Sequence, residues 1–168
     1  KMDTYEGVLR DIYTNNYGES FEDVSLALST IRSQIGPVVD HWDPSALQDF
    51  TESAFALRDT FGYEIQESVR AASAMMEHFG IDGNEAFSMI AAGAQNGLDF
   101  SGELLDIISE YSVQFAKIGL DADDMFKIMQ KGADTGAFNL DKIGDAVKEF
   151  GIRVVDGSET TKQGFKDI

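Results

Sequence analysis

Residues 80–118 read GIDGNEAFSMIAAGAQNGLDFSGELLDIISEYSVQFAKI, and the chain carries a second version of this stretch. Shifted by 39 positions, it lies without a gap over residues 119–157. A fixed period of this length predicts stacked supersecondary units. The matched pairs are Gly80 with Gly119, Asp82 with Asp121, Phe87 with Phe126, Gly93 with Gly132, Ala94 with Ala133, Gly97 with Gly136, Asp106 with Asp145 and Glu110 with Glu149.

Each unit of 39 residues predicts two helices joined by a turn that contains glycine. Asp82 and Asp121 are side chains that cap helix N-termini, and Glu85 and Asp124 follow three residues later, as in a capping box. Gly97 lies past the end of the first helix, where glycine accepts the left-handed backbone that terminates helices. Apolar residues at helical spacing mark one face of each helix: Phe87, Ile90 and Ala94 in the first, and Leu104, Ile108, Tyr111, Phe115 and Ile118 in the second.

The two units before this stretch are more divergent. In the second unit Asp43 takes the cap position, and Pro44 takes the first helical position, where its missing N–H costs nothing. In the first unit the apolar series starts at Val24, which places it two residues out of register with the later units. Gly36 and Pro37 predict the end of that helix, because proline lacks a donor and restricts the residue before it.

We therefore predict an all-α fold, an α-solenoid-like array of helix hairpins with about nine helices, in a single domain over residues 1–168. Thr160 and Phe165 repeat the positions of the cap and of the first aromatic residue, so a new unit is expected to open there. Because the chain begins with Lys1 and stops inside that unit, we expect a fragment of a longer chain. The predicted units cover about 2–40, 41–79, 80–118, 119–157 and the start of a fifth at 158–168.

The composition argues against several classes of function. The 168 residues include 30 acidic and 13 basic side chains, for a formal charge of −17. A nucleic-acid-binding segment needs clustered Lys and Arg, so we expect no nucleic-acid binding by this segment. Without cysteine the chain has no disulfide framework and no thiolate metal site. Its longest apolar run is far shorter than the roughly 20 residues of a membrane span, so no span is expected here.

No residue set predicts a catalytic, cofactor-binding or metal site, and we expect that the chain is not an enzyme. His41 and His78 lack the partners that functional histidines need. Asp121, Asp123 and Asp124 lack the alternating ligands and the closing glutamate of a calcium loop, so helix capping is their expected role. Five methionines on or beside the apolar faces are expected to fill the core: Met75, Met76, Met89, Met125 and Met129.

One acidic set leaves an enzymatic alternative open. Glu103, Asp106 and Glu110 lie on one helix face at spacings of three and four. Paired carboxylates can hydrolyse glycosidic bonds. On a helix exterior, however, such a set is usually a solvated face. A cell-wall hydrolase region is therefore the least favoured interpretation.

Several longer strings resemble a known family. The segment 67–153 is similar to a helical region of the tail tape measure proteins of tailed bacteriophages and prophages. The preceding string NNYGESFEDV also fits this resemblance. The strings that carry it are FGID at 79–82, GAQNGLD at 93–99, ELLDIISEYSVQF at 103–115 and GAFNLDKIGDAVKEF at 136–150.

The resemblance implies a structural protein of the virion tail. Such proteins are long and mostly helical, and tail-tube subunits polymerise around them, so that their length sets the tail length. They leave the tube ahead of the DNA at infection. The resemblance also implies the tail-tube protein, tail assembly chaperones and tail-tip proteins as partners, and the host cytoplasm as the place of assembly. Self-association is a further candidate interaction. The family offers no catalytic motif at these positions.

The predicted fold also permits a function of another class. An α-solenoid can bind a peptide in the concave groove that its stacked helices form. A cellular adaptor that binds peptides in this way is therefore the main alternative to a structural role in a phage.

Overall fold

The chain folds into eight α-helices and one 3-10 helix in the computed structural model, which describes residues 2–136 and 139–166. The described residues contain no strand, so the prediction of an all-α fold is confirmed. The helices are α1 Met2–Thr14, α2 Phe21–Ile35, a 3-10 helix at Pro37–His41, α3 Pro44–Phe61, α4 Ile65–Phe79, α5 Gly83–Gln95, α6 Leu104–Lys117, α7 Ala122–Asp134 and α8 Leu140–Lys166.

The expectation of about nine helices is wrong, because α8 continues without a break through the point where a fifth unit was expected to open. Left-handed glycines follow the two preceding even-numbered helices, Gly80 with φ 68° and Gly119 with φ 82°. The corresponding residue of α8, 39 positions after Gly119, is Ser158. Serine carries a Cβ that disfavours this backbone, so nothing there terminates the helix. The side chains of Thr160 and Phe165 lie outside the described residues.

Side chains cap the N-termini of several helices. Ser20 Oγ accepts a hydrogen bond from the Asp23 N–H at 3.1 Å, and Asp82 Oδ1 accepts one from the Glu85 N–H at 2.8 Å. Before α7 both halves of a capping box are present and are reciprocal. These bonds satisfy N–H groups that have no partner within the helix. The helix starts predicted from Asp82 and Asp121 are therefore confirmed.

The cap predicted for α3 differs in detail. Asp43 does precede the helix, but its side chain accepts no capping hydrogen bond from the helix N-terminus. Pro44 is the first helical residue, and its fixed φ is already close to the helical value. The start of α3 is therefore set by proline rather than by a carboxylate.

The helices pack in two layers. Each odd-numbered helix contacts the next odd-numbered helix, from α1 to α7, and each even-numbered helix contacts the next even-numbered one, from α2 to α8. Helices α3, α5 and α7 begin 39 residues apart, as do α4 and α6. A stack of helix hairpins accounts for this arrangement. The descent of the hairpins from one repeated module, and the unit boundaries, stay predictions.

One continuous core joins the two layers, and each of the eight α-helices contributes to it. Burying one of these large side chains stabilises the fold by about 1.5–3 kcal/mol. The largest side chains with almost no exposed surface are Phe55, Phe115, Ile12, Ile31, Met75, Ile90, Leu98, Leu104, Ile108, Met125, Met129 and Leu140.

Candidate interaction surfaces

A series of polar bridges joins neighbouring parts of the stack, and in each of them an aspartate accepts a bond from a residue 34 to 36 positions away. Such bonds fix the register of one hairpin on the next. The donors and acceptors are Tyr5 to Asp40 at 2.9 Å, Arg58 to Asp23 at 2.9 Å, Tyr63 to Asp99 at 2.8 Å, Arg70 to Asp106 at 2.7 Å and Tyr111 to Asp145 at 2.7 Å.

Sequence reasoning missed these bridges. The 39-residue match of Asp106 with Asp145 indicated two of these bridges. Each of the two aspartates accepts a hydrogen bond from a side chain of the preceding even-numbered helix. The repeat did not indicate the donors, because Arg70 donates to Asp106 whereas Tyr111 donates to Asp145. The structure therefore keeps the acceptor at this position while the donor changes.

Among the ion pairs of the described residues, the most enclosed one joins Arg58 of α3 to Asp23 of α2 through two hydrogen bonds, at 3.0 and 2.9 Å. The guanidinium carbon also lies 4.6 Å from the centre of the Phe55 ring. Hydrogen bonding to Arg58 holds the pKa of the Asp23 carboxyl below its usual range. This pair ties the first hairpin to the second.

Two tyrosines have strongly raised pKa values. The hydrogen bond from Tyr111 to Asp145 is the main reason that the pKa of Tyr111 lies above its ordinary value, with burial second. Burial is the main reason for the raised pKa of Tyr63, followed by its hydrogen bond to Asp99. A phenol that donates to a carboxylate resists ionisation, because the phenolate would face a like charge.

The acidic set considered for glycoside hydrolysis lies on the outside of α6. Asp106 is ion-paired with Arg70 and its side chain is 65% exposed. Glu103 accepts a hydrogen bond from Ser101 Oγ at 3.0 Å, and Glu110 is exposed. Asp106 and Glu110 face solvent and Glu103 is half-buried at the start of the helix, whereas a glycosidase places its pair on two sides of a bound sugar.

The other candidate residues have structural positions. His41 is exposed at the end of the 3-10 helix, and His78 is half-buried in the last turn of α4. Asp121 and Asp124 form the capping box of α7, which confirms capping as their role. Within residues 2–136 and 139–166 no group of three or more His, Asp or Glu side chains is arranged to hold a metal ion. Met75, Met125 and Met129 are buried, whereas Met76 and Met89 are half-buried against the core.

Helical glycines let neighbouring helices approach closely. The ring of Phe50 in α3 lies over Gly83, and the ring of Tyr111 in α6 lies over Gly144 of α8. A Cβ built on Gly144 would lie 2.5 Å from the Tyr111 ring, which is closer than real contacts allow. Phe126 of α7 lies over Gly93 of α5 in the same way, so the close approach of these two helices accounts for that glycine.

Open grooves run between successive odd-numbered helices. One groove, of about 250 Å³, lies between α5 and α7 and is lined by Met89, Gly93, Leu98 and Phe126. Another, of about 220 Å³, lies between α3 and α5. Both are small and shallow compared with the roughly 300–1,000 Å³ of typical ligand sites.

The two ends of the even-numbered layer expose apolar side chains. On α8, Phe150 is 59% exposed and Val154 is 50% exposed. On α2, Leu26 is 65% exposed, beside a groove of about 270 Å³ that Leu9 and Ser25 help to line. Neighbouring exposed apolar residues such as Phe150 and Val154 mark a candidate interaction site, whereas a single exposed residue such as Leu26 is common on protein surfaces.

None of the described helices combines the length and the apolar character that a membrane crossing requires.

Comparison with known proteins identifies a matching family. The family profile described as phage-related minor tail protein matches residues 13–168, which is nearly the whole chain. No curated protein and no solved structure matches the chain.

Proposed function

The chain belongs to the family of phage-related minor tail proteins and has a structural role in a phage tail; from this premise we propose that it is a segment of the tail tape measure protein. In this role the segment is part of the template around which the tail tube assembles, and its length contributes to the length of the tail. The observation that carries the proposal is the family match together with a stack of hairpins of nearly equal size.

A stack of this kind measures length in steps. Each further hairpin lengthens a compact two-layer stack by the distance between packed helices, about 10 Å. The same 39 residues drawn out as one straight helix span about 58 Å. The length added per unit therefore distinguishes a template that stays compact from one that is extended inside the tube.

The proposed role also specifies which tail proteins the segment contacts and when it leaves the tail tube. The segment contacts the tail-tube protein, tail assembly chaperones and tail-tip proteins during assembly in the host cytoplasm, and it leaves the tube before the DNA. A surface rich in carboxylates, with a formal charge of −17, keeps such a template soluble before the tube forms.

We propose that the segment acts by contact and not by catalysis. The exposed positions of Asp106 and Glu110, and the ion pair of Asp106 with Arg70, support this. Release of peptidoglycan fragments by the purified chain tests it, with Glu103→Gln as the matched variant. Release by the wild type that is lost in Glu103→Gln would contradict the proposal.

The length proposal is tested by deleting residues 80–118 from the protein in its phage and measuring tails by electron microscopy. The deletion joins Phe79 to Gly119, and Gly119 has the same left-handed backbone as Gly80, so the end of α4 is retained. We expect tails shorter by about 58 Å if the template is a single extended helix in the tube.

The matched control replaces residues 80–118 with a copy of residues 119–157, which changes the sequence but not the length. We expect tails of normal length from this variant. Tails of unchanged length after the deletion, or an equal shortening in the control, would refute the role of a length template.

A further inference from the structure

A cavity opens where the end of the 3-10 helix meets the starts of α3 and α5. It has a volume of about 360 Å³, which lies within the roughly 300–1,000 Å³ of typical ligand sites. Its walls include the aromatic side chains of Trp42 and Phe50 and the acidic residues Asp43 and Asp82. The cavity therefore combines an aromatic surface with negative charge, and the elements that form it come from the middle of the chain.

The indole in this cavity is not needed for packing within the stack. The residue before the cap position of α3, α5 and α7 packs against the core. Ile81 takes this position before α5 and Leu120 takes it before α7, so an aliphatic side chain is sufficient there. Before α3 the position holds Trp42, which is half-buried, so that part of its ring remains accessible beside the cavity.

A glycine lets the second aromatic ring line the cavity. A Cβ built on Gly83, the first residue of α5, would overlap the Phe50 ring. The first residue of α7, 39 positions later, is Ala122, which carries such a Cβ. With glycine at 83, the Phe50 ring lies against α5 and meets the Trp42 ring edge to face, with the ring centres 5.3 Å apart.

The two carboxylates of the cavity wall carry charges that the stack leaves uncompensated. Asp82 caps α5, but Asp43 accepts no capping hydrogen bond, since Pro44 sets the start of α3. Both are exposed, and in the described part of the chain neither takes part in an ion pair. The positive ends of the α3 and α5 dipoles offset part of this charge, so the carboxylates alone would hold a cation weakly.

A cation inside the stack shows how a carboxylate and a ring act together in this protein. The Arg58 guanidinium donates to the Asp23 carboxylate at 3.0 and 2.9 Å, and its carbon lies 4.6 Å from the centre of the Phe55 ring. One carboxylate and one ring thus hold one guanidinium. The cavity offers the same two kinds of group, and an indole attracts cations more strongly than a phenyl ring does.

We propose that this cavity binds an arginine side chain of a partner protein. The guanidinium lies over the Trp42 indole and donates hydrogen bonds to the carboxylates of Asp43 and Asp82. Arginine fits better than lysine, because its planar guanidinium stacks on aromatic rings and carries several N–H groups for carboxylates. The formal charge of −17 favours the approach of a basic surface. This proposal does not depend on the role in tail length, since its test uses the purified chain.

The fluorescence of Trp42 reports binding directly, because it is the single tryptophan of the chain. The probe is N-acetyl-argininamide, and the matched control is N-acetyl-citrullinamide, which has nearly the same shape and no charge. In about 0.15 M salt we expect half-saturation by the arginine compound at about 1–10 mM and at least tenfold weaker binding of the citrulline compound. An unchanged signal up to about 50 mM, or equal binding of both compounds, would refute the proposal.

Two variants of the cavity wall test the carboxylates. Asp43→Asn is expected to weaken binding of the arginine compound by about fivefold to tenfold. Asp82→Asn is expected to act in the same way, and α5 keeps its start because asparagine caps helices as well as aspartate does. The matched control is Asp123→Asn, which removes an exposed charge from the first turn of α7. Equal weakening in this control would mean that the compound responds to net charge alone, and the cavity would not be its site.

A third variant tests the ring. Trp42→Leu is expected to fold with little change in melting temperature, because leucine holds the corresponding position before α7. Binding is then measured by the amide NMR shifts of Gly83 and Asn84, which line the cavity. We expect the affinity to fall by about threefold to tenfold. An unchanged affinity, or shifts in the wild type that are confined to other parts of the chain, would overturn the proposal.

Discussion

Helices α6 and α8 carry the same apolar pattern and have different surroundings. On α6 the four residues of the pattern are at most 3% exposed, whereas on α8 the first two are half-buried and the last two are at least half exposed. The four pairs, 39 residues apart, are Leu104 and Ile143, Ile108 and Val147, Tyr111 and Phe150, and Phe115 and Val154.

The difference comes from neighbours. Among the helices that the structure describes, α6 packs between α4 and α8 and also contacts α7, whereas α8 packs against α6 and α7. An apolar stripe thus identifies the face that a helix can bury, and the rest of the stack decides whether that face is covered. In a stacked fold each unit completes the core of its neighbour.

The largest expected effect comes from the same substitution on the two helices. Phe115→Ala removes a fully buried ring and is expected to lower the free energy of unfolding by about 3–5 kcal/mol. Phe150→Ala removes a ring that is 59% exposed, and we expect a change within about 0.5 kcal/mol. Urea denaturation of each variant measures both changes.

These measurements are made at low micromolar concentration, so that contacts between copies do not contribute. Similar losses of stability in the two variants would show that α8 is covered in solution, and the contrast between the helices would then be wrong.

A smaller effect is expected where the two helices touch. Gly144→Ala places a methyl group against the Tyr111 ring, and such overpacking costs about 1–3 kcal/mol. The matched control is Gly164→Ala, since a Cβ there would meet nothing within 4 Å. Because alanine favours a helix over glycine, we expect the control to be more stable by about 0.5–1 kcal/mol.

Thermal melting compares the stability of the two glycine variants with that of the wild type. Opposite shifts of the melting temperature are expected, downward for Gly144→Ala and upward for Gly164→Ala. An upward shift in both would mean that the ring of Tyr111 moves aside freely, and the close contact between α6 and α8 would carry little energy.

Much of the fold could be predicted because it depends on local chemistry. The caps Ser20, Asp82 and Asp121 mark helix starts by bonding to N–H groups a few residues away. Glycine and proline after Ile35 end α2 for equally local reasons. The order of the helices could be predicted from the spacing of these cap residues and helix-ending residues.

The rest depends on residues far apart in sequence or on the absence of a signal. Helix α8 continues because position 158 holds serine instead of glycine. The cap predicted at Thr160 therefore made the expected number of helices too high. The bridge from Tyr111 to Asp145 required knowledge of which helices lie side by side. The exposure of Phe150 could not be read from its apolar spacing, because nothing in that spacing specifies a neighbour.

The smallest of these effects concerns the hydroxyl that distinguishes Tyr111 from Phe150. Tyr111→Phe removes a hydrogen bond to Asp145 and is expected to cost about 1 kcal/mol at pH 8. The pKa of Tyr111 is raised in the folded state, so its stabilisation is fully present below the unfolded value of about 10 and falls as the pH rises above it. We therefore expect the loss of stability between pH 9 and 11 to be shallower in Tyr111→Phe than in the wild type.

The control adds a hydroxyl to the exposed ring at the corresponding position of α8. Phe150→Tyr is expected to leave both the stability at pH 8 and its pH dependence unchanged, because an exposed phenol has nearly the same pKa in the folded and unfolded chains. If Tyr111→Phe kept the wild-type slope, the raised pKa would not be coupled to folding. The bridge between α6 and α8 would then be too loose to explain why tyrosine stands at the covered position and phenylalanine at the exposed one.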